Sequence, residues 1–174
     1  MPEAWLSGPV AGVPDLLQPA AHSLIDAVTD VERAVEGLPA HLLWSRPGGV
    51  ASIGFHLRHI AGSADRLLTY ARGEALSDAQ MDALRGEVEP GPAPPSLGDL
   101  LARLRAARDA ALDQYRATDP STLLDPRAVG RQALPATVTG LLFHVAEHAR
   151  RHAGQVIATA GVLRGTDGNA LATS

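Results

Sequence analysis

Apolar residues recur at helical intervals in four long stretches of this chain, separated by segments rich in proline and glycine. In the first, Leu17, Ala21, Leu24, Val28, Val31 and Val35 form one stripe, opened by Pro14 and Asp15 and ended near residues 37–39. The second covers residues 53–72, with Ile53, Leu57, Ile60, Ala64, Leu67 and Ala71 on one face and Ser52 placed as its N-cap. The third covers residues 96–117, where Leu97, Leu100, Leu101, Leu104, Ala107, Ala111, Leu112 and Tyr115 turn inward and Ser96 with Asp99 fits a capping pattern. The fourth, residues 137–157, has a seam counted alternately in threes and fours: Val138, Leu141, Val145, His148, His152, Gln155, and on to Thr159 and Val162.

The segments between them carry turn signals. Residues 1–12 have no sustained period and predict a loosely packed lead-in. Residues 73–96 have room for a short helix at 78–85 before a proline-rich end, and a connection of this length can cross a bundle from end to end or cover a site. Residues 119–134 read as a loop around Asp125-Pro126 and Gly130, and no stretch has a convincing strand pattern. The pattern predicts an all-α, four-helix bundle over residues 1–165 as a single domain, with residues 166–174 as a flexible tail.

Two histidines and a glutamine stand in the fourth seam where leucines are expected, and burying such groups without partners costs roughly 1–3 kcal/mol each. A metal ion offers one solution. His148 and His152 are one turn apart on one face, the spacing that lets two imidazoles reach one ion. His144 lies one turn earlier, too far from His152, at roughly 12 Å along the axis, for all three to share it. In the second stretch His56 lies beside the apolar stripe and His59 further round, so periodicity favours His56 as the better buried and leaves the ligand open. His22 and His41 belong to no cluster and read as surface or boundary residues.

Composition narrows the chemistry. There is no cysteine, hence no disulfide and no thiolate of the protein's own; all 15 basic residues are arginine, so there is no lysine for a Schiff base or a P-loop. A net charge of −4 gives no electrostatic reason to bind nucleic acid or an anionic membrane. The sequence has neither a long apolar run nor a charged-then-apolar leader, so the expectation is a soluble cytoplasmic protein.

The segments SIGFHLRHIAGS and HVAEHARRHAGQ, together with WSRPGG before the second helix and LP before the fourth, resemble the DinB/YfiT-like superfamily of metal-binding four-helix proteins, over about residues 42–162. This family is distinct from the DNA polymerase that shares the DinB name. The resemblance implies one histidine ligand from the second helix and two from the fourth around a divalent ion such as zinc or nickel. Carried over, the ligands are His59, His148 and His152, which replaces His56 by His59 as the second-helix choice. It also implies an up-down-down-up order, matching a long crossover between the second and third helices, and a homodimer. His56, His144 and Gln155 are expected to hold the ligands in place or line the pocket.

Three imidazoles with an open coordination position are the catalytic kind of site, whereas closed four-ligand sites are structural. Because the chain has no cysteine, a thiol mechanism needs a small-molecule thiol, and the superfamily includes transferases that use bacillithiol or mycothiol. The reading is a metal-dependent enzyme acting on a small-molecule substrate, preferably a thiol S-transferase, with a hydrolase or a non-enzymatic metal-binding stress or interaction protein as alternatives. No residue stands out as its general base. The substrate is expected to enter past residues 73–96 and 119–134.

Overall fold

The computed structural model describes the backbone of residues 3–172 and the side chains of residues 3–166. Five α-helices are formed among them: α1 (Gln18–Ala34), α2 (Ile53–Ala71), α3 (Asp78–Arg85), α4 (Leu97–Ala117) and α5 (Val138–Ala172). The four long ones make the bundle, and α3 is a short helix in the connection between α2 and α4. Chemistry written in the sequence sets their starts. Ser52 caps α2 by accepting from the Phe55 backbone, and Ser96 with Asp99 closes a capping box on α4. Ser77 and Gln80 do the same for α3.

Packing follows the apolar stripes. Helix α5 lies against α1 and α2, and α2 also lies against α4. Leu24, Val28 and Val31 from α1, Ile53, Leu57 and Ile60 from α2, Leu100 and Leu104 from α4, and Leu142, Val145 and Val156 from α5 are all buried in one core. Tyr115, fully buried on α4, donates its hydroxyl to the Leu142 carbonyl of α5 at 2.8 Å, which satisfies its polar tip.

Three features differ from the sequence expectation. Residues 126–137 form an antiparallel hairpin of β1 (Pro126–Val129) and β2 (Leu134–Thr137), with Pro126 opposite Thr137 and Val129 opposite Leu134. Its strands are four residues each, half of these positions exposed and the rest only partly buried, too short for an apolar alternation to stand out in the sequence. Arg127 from β1 donates to the Ala71 carbonyl at 2.8 Å, tying the hairpin to the end of α2. Second, α5 continues to Ala172, into the stretch 166–174 expected as a tail; residues 173–174 lie outside the described residues. Third, the buried track of α5 runs through Val145, Ala149, Ala153, Val156 and Ala160, whereas Gln155 and Val162 are exposed. A strict three-four count has a period of 3.5 and drifts around a straight helix of 3.6 residues per turn, so after Val145 the counted seam runs along the rim of the core, with Thr159 its one later buried member. His148 and His152 consequently sit at the edge of the core, half-buried.

Among the described residues, no helix is long and apolar enough to cross a membrane.

Candidate metal centre

Helices α2 and α5 bring three histidines together. His59, His148 and His152 each offer a ring nitrogen, and these atoms lie within 4.8 Å of one another. The ring centroids are 5.0 Å apart for His59 and His148, 4.8 Å for His59 and His152, and 4.5 Å for His148 and His152. The last pair follows from the one-turn spacing; the first two exist only because α2 packs on α5. Phe55, one turn before His59, stacks on its ring at 5.2 Å and 11° and forms an apolar wall.

The other candidates take different places. His56, 4% exposed, is as well buried as the α2 stripe implies, and its Nδ1 lies 2.9 Å from Nδ1 of His152. Gln155 is exposed, not in the core as the seam count has it, yet its side chain is near enough to His152 to oppose the lowering of that ring's pKa. His144 is nearly half exposed, bonds Glu147 at 3.0 Å and meets only the outer edge of the cluster, its ring 5.4 Å from that of His148. Arg150 and Arg151 are exposed and engaged by Asp30 and Glu147. His22 bonds the Gly8 carbonyl at 2.9 Å, and His41 is exposed.

Sequence reasoning missed Glu87. It lies in the connection after α3, is 3% exposed, and its Oε2 is 2.7 Å from Nδ1 of His59. Arg66 of α2, also buried, donates to its Oε1 at 2.5 Å. A single glutamate in a proline-rich segment carries no periodic signal. The available clue was Gly62, one turn before Arg66, whose missing side chain admits the carboxylate: a Cβ there stands 2.3 Å from Oε1 of Glu87.

Electrostatics favour the neutral forms of His56, His148 and His152. Burial, and then the neighbouring His152 and His59 imidazoles, push His56 down to about 4. Burial followed by His152, His59, His144 and Arg151 pushes His148 down to about 4 as well. His152 is lowered by burial, His59 and Arg151, against smaller opposing contributions from Gln155 and Glu147. Burial raises Glu87, but hydrogen bonds from His59 and Arg66 outweigh it and hold the carboxyl below its ordinary value. Near pH 7 His148 and His152 therefore keep lone pairs, as metal coordination requires. Three imidazoles from two helices, with carboxylate and imidazole partners on the Nδ1 atoms of His59 and His152, fit a divalent cation.

A cavity of about 470 Å³ is lined by Pro47, Val50 and Ala51 ahead of α2, by Gln155, Thr159 and Val162 of α5, and by His56, the partner of His152. It lies between the residues before α2 and the later turns of α5.

A family model described as the DinB superfamily matches residues 24–156. Among solved structures, the chain is similar to a Streptococcus pneumoniae protein determined by a structural genomics consortium. The identity is 14%, the match covers 87% of this chain and 91% of that one, and the TM-score is 0.65, a likeness of fold. No curated protein matches.

Proposed function

The chain belongs to the DinB superfamily, and from that premise we propose that it is a divalent-metal-dependent enzyme, a transferase that uses a low-molecular-weight thiol such as bacillithiol or mycothiol. The observation that carries this reading is the cluster of His59, His148 and His152. The pairings His56–His152, His59–His148 and Gln114–Leu68 support the up-down-down-up order, which sets α2 and α5 antiparallel and lets each contribute to one site.

A zinc or nickel ion held by these three residues supplies a Lewis acid that favours the deprotonated form of a thiol or water placed beside it. The chain's own residues do the rest. His59, His148 and His152 hold the ion, Phe55 covers one face of His59, and His56 with Gln155 orients His152. The cavity, mostly apolar with His56, Gln155 and Thr159 as polar groups, suits an electrophilic substrate of modest size.

The carboxylates that reach these histidines are already committed: Glu87 to Arg66 and His59, Glu147 to Arg151 and His144. Both a thiol and a water must give up a proton, but a thiol does so from about 8.5 and water from about 15.7, so a thiol can lose its proton to solvent with less help from a protein base, and this arrangement favours thiol transfer.

The test is metal content of protein purified without a nickel column, followed by turnover of monochlorobimane with bacillithiol or mycothiol. About one ion per chain and turnover lost in His148→Ala support the reading. Bound metal with no turnover on any thiol or ester identifies a non-catalytic metal-binding protein, and no metal uptake from zinc or nickel removes both.

A further inference from the structure

The crossover 73–96 is long enough to be a plain connection, yet one short part of it is fastened to α2 on both sides of a buried carboxylate. Arg58 of α2 donates to the carbonyls of Gly86 at 2.6 Å and Glu89 at 2.8 Å, bracketing Glu87. The Arg58 guanidinium in turn lies over the Trp44 ring, 5.0 Å from its centroid. Glu87 turns inward between these anchors and meets Arg66 and His59. Gly62 clears the space, since a Cβ at that position stands 2.3 Å from the carboxylate and 2.9 Å from the Arg66 guanidinium. A glycine inside a helix lowers its stability, so its presence in α2 is explained by the close approach it permits.

A neutral imidazole carries one proton on two nitrogens, and a carboxylate can only accept. We propose that Glu87 is a positioning residue of the histidine site: fastened by Arg58 and Arg66, it fixes the His59 proton on Nδ1 and leaves Nε2 as the lone pair available to a cation. The proposal rests on the metal-site reading for its effect on affinity, but its effect on the His59 ring holds in the metal-free protein. It gives the crossover a second role, because the ligand on α2 is oriented from outside the bundle. Arg66 is the counter-charge that makes a buried carboxylate tolerable there.

The experiment pairs two measurements on the full chain: the His59 tautomer, by nitrogen NMR of metal-free protein labelled at histidine, and zinc affinity, by competition with a chromophoric chelator. The native chain is expected to show His59 protonated at Nδ1. In the double variant Arg66→Leu/Glu87→Leu, which leaves neither charge buried alone, the proton is expected to redistribute and zinc affinity to fall about 10- to 100-fold. Glu87→Gln retains an acceptor oxygen and is expected to restore most of the affinity. Arg58→Gln is expected to give a smaller loss that disappears when Glu87 is already replaced. Should the double variant fail to fold, Gly62→Ala displaces the carboxylate with both charges in place and carries the same comparison. A folded Arg66→Leu/Glu87→Leu variant, or in its place Gly62→Ala, that keeps the Nδ1 tautomer or binds zinc within twofold of the native chain overturns the proposal. If the native chain binds no zinc, the metal reading fails and the tautomer alone decides the role of Glu87.

Discussion

The Nδ1 atoms of His56 and His152 face each other at 2.9 Å, so one of the two carries the shared proton and the other accepts it. Coordination of His152 through its Nε2 places the proton on its own Nδ1 and makes His56 the acceptor. His56→Leu, which keeps the side chain apolar in its 4% exposed position, is therefore expected to weaken zinc binding about tenfold while the fold survives. Titration against a chelator checks this, and an unchanged affinity removes His56 from the site.

Acid sensitivity follows from the lowered histidines. His56 and His148 titrate at about 4 in the folded chain against 6.5 as the ordinary value, so between these limits the unfolded chain binds more protons. Their contribution to stability is complete above about 6.5 and is lost as pH falls towards 4. Urea unfolding of metal-stripped protein is expected to show a lower midpoint at pH 5 than at pH 7.5, and a smaller difference in His148→Leu. Equal midpoints at the two pH values in the native chain would contradict the neutral, half-buried state of these rings.

Metal should stabilise the chain only through the cluster. At a hundredfold excess of zinc over Kd the gain is about 2.7 kcal/mol, expected to vanish in His59→Ala and His148→Ala. His144 is nearly half exposed and bonded to Glu147. His144→Ala is expected to keep the zinc response and to change basal stability by no more than about 0.5 kcal/mol. Thermal melts with and without zinc separate the three variants.

Gly54 offers a test that bypasses the histidines. A Cβ on it stands 2.7 Å from the Trp44 ring, whose atoms cannot retreat as the end of a flexible chain does. Gly54→Ala is expected to cost about 1–3 kcal/mol through overpacking, read as a drop in unfolding midpoint with zinc stoichiometry preserved. A neutral or stabilising substitution would show that the Trp44 ring gives way easily.

What the sequence makes legible here is what repeats or caps. Ser52 and Ser96 mark the starts of α2 and α4, and the short helix Asp78–Arg85 lies where the sequence left room for one. The hairpin does not, because each strand has only four residues, none of them fully buried, too few to write an apolar alternation. His56 and His59 show a subtler limit. Periodicity reports burial, and His56 is the more buried, but it is His59 that the structure brings to His148 and His152. Positions on the rim of a stripe face both a neighbouring helix and an opening, and a count of apolar spacing does not see that geometry. Glu87 lay beyond reach for a different reason: its role comes from a loop folding back onto Gly62, a contact with no local signature.

The donors at the cluster are divided unequally between the helices. His148 and His152 are presented together by a single turn of α5, available as soon as that turn forms, whereas His59 joins them only when α2 is docked. An ion held by all three is thus a removable cross-link that closes a loop containing α3, α4 and the hairpin. Weak capture by α5 alone and tight capture by the assembled pair differ by the bond to His59 less any cost of docking α2, so whatever loosens α2 from α5 also weakens the hold on zinc.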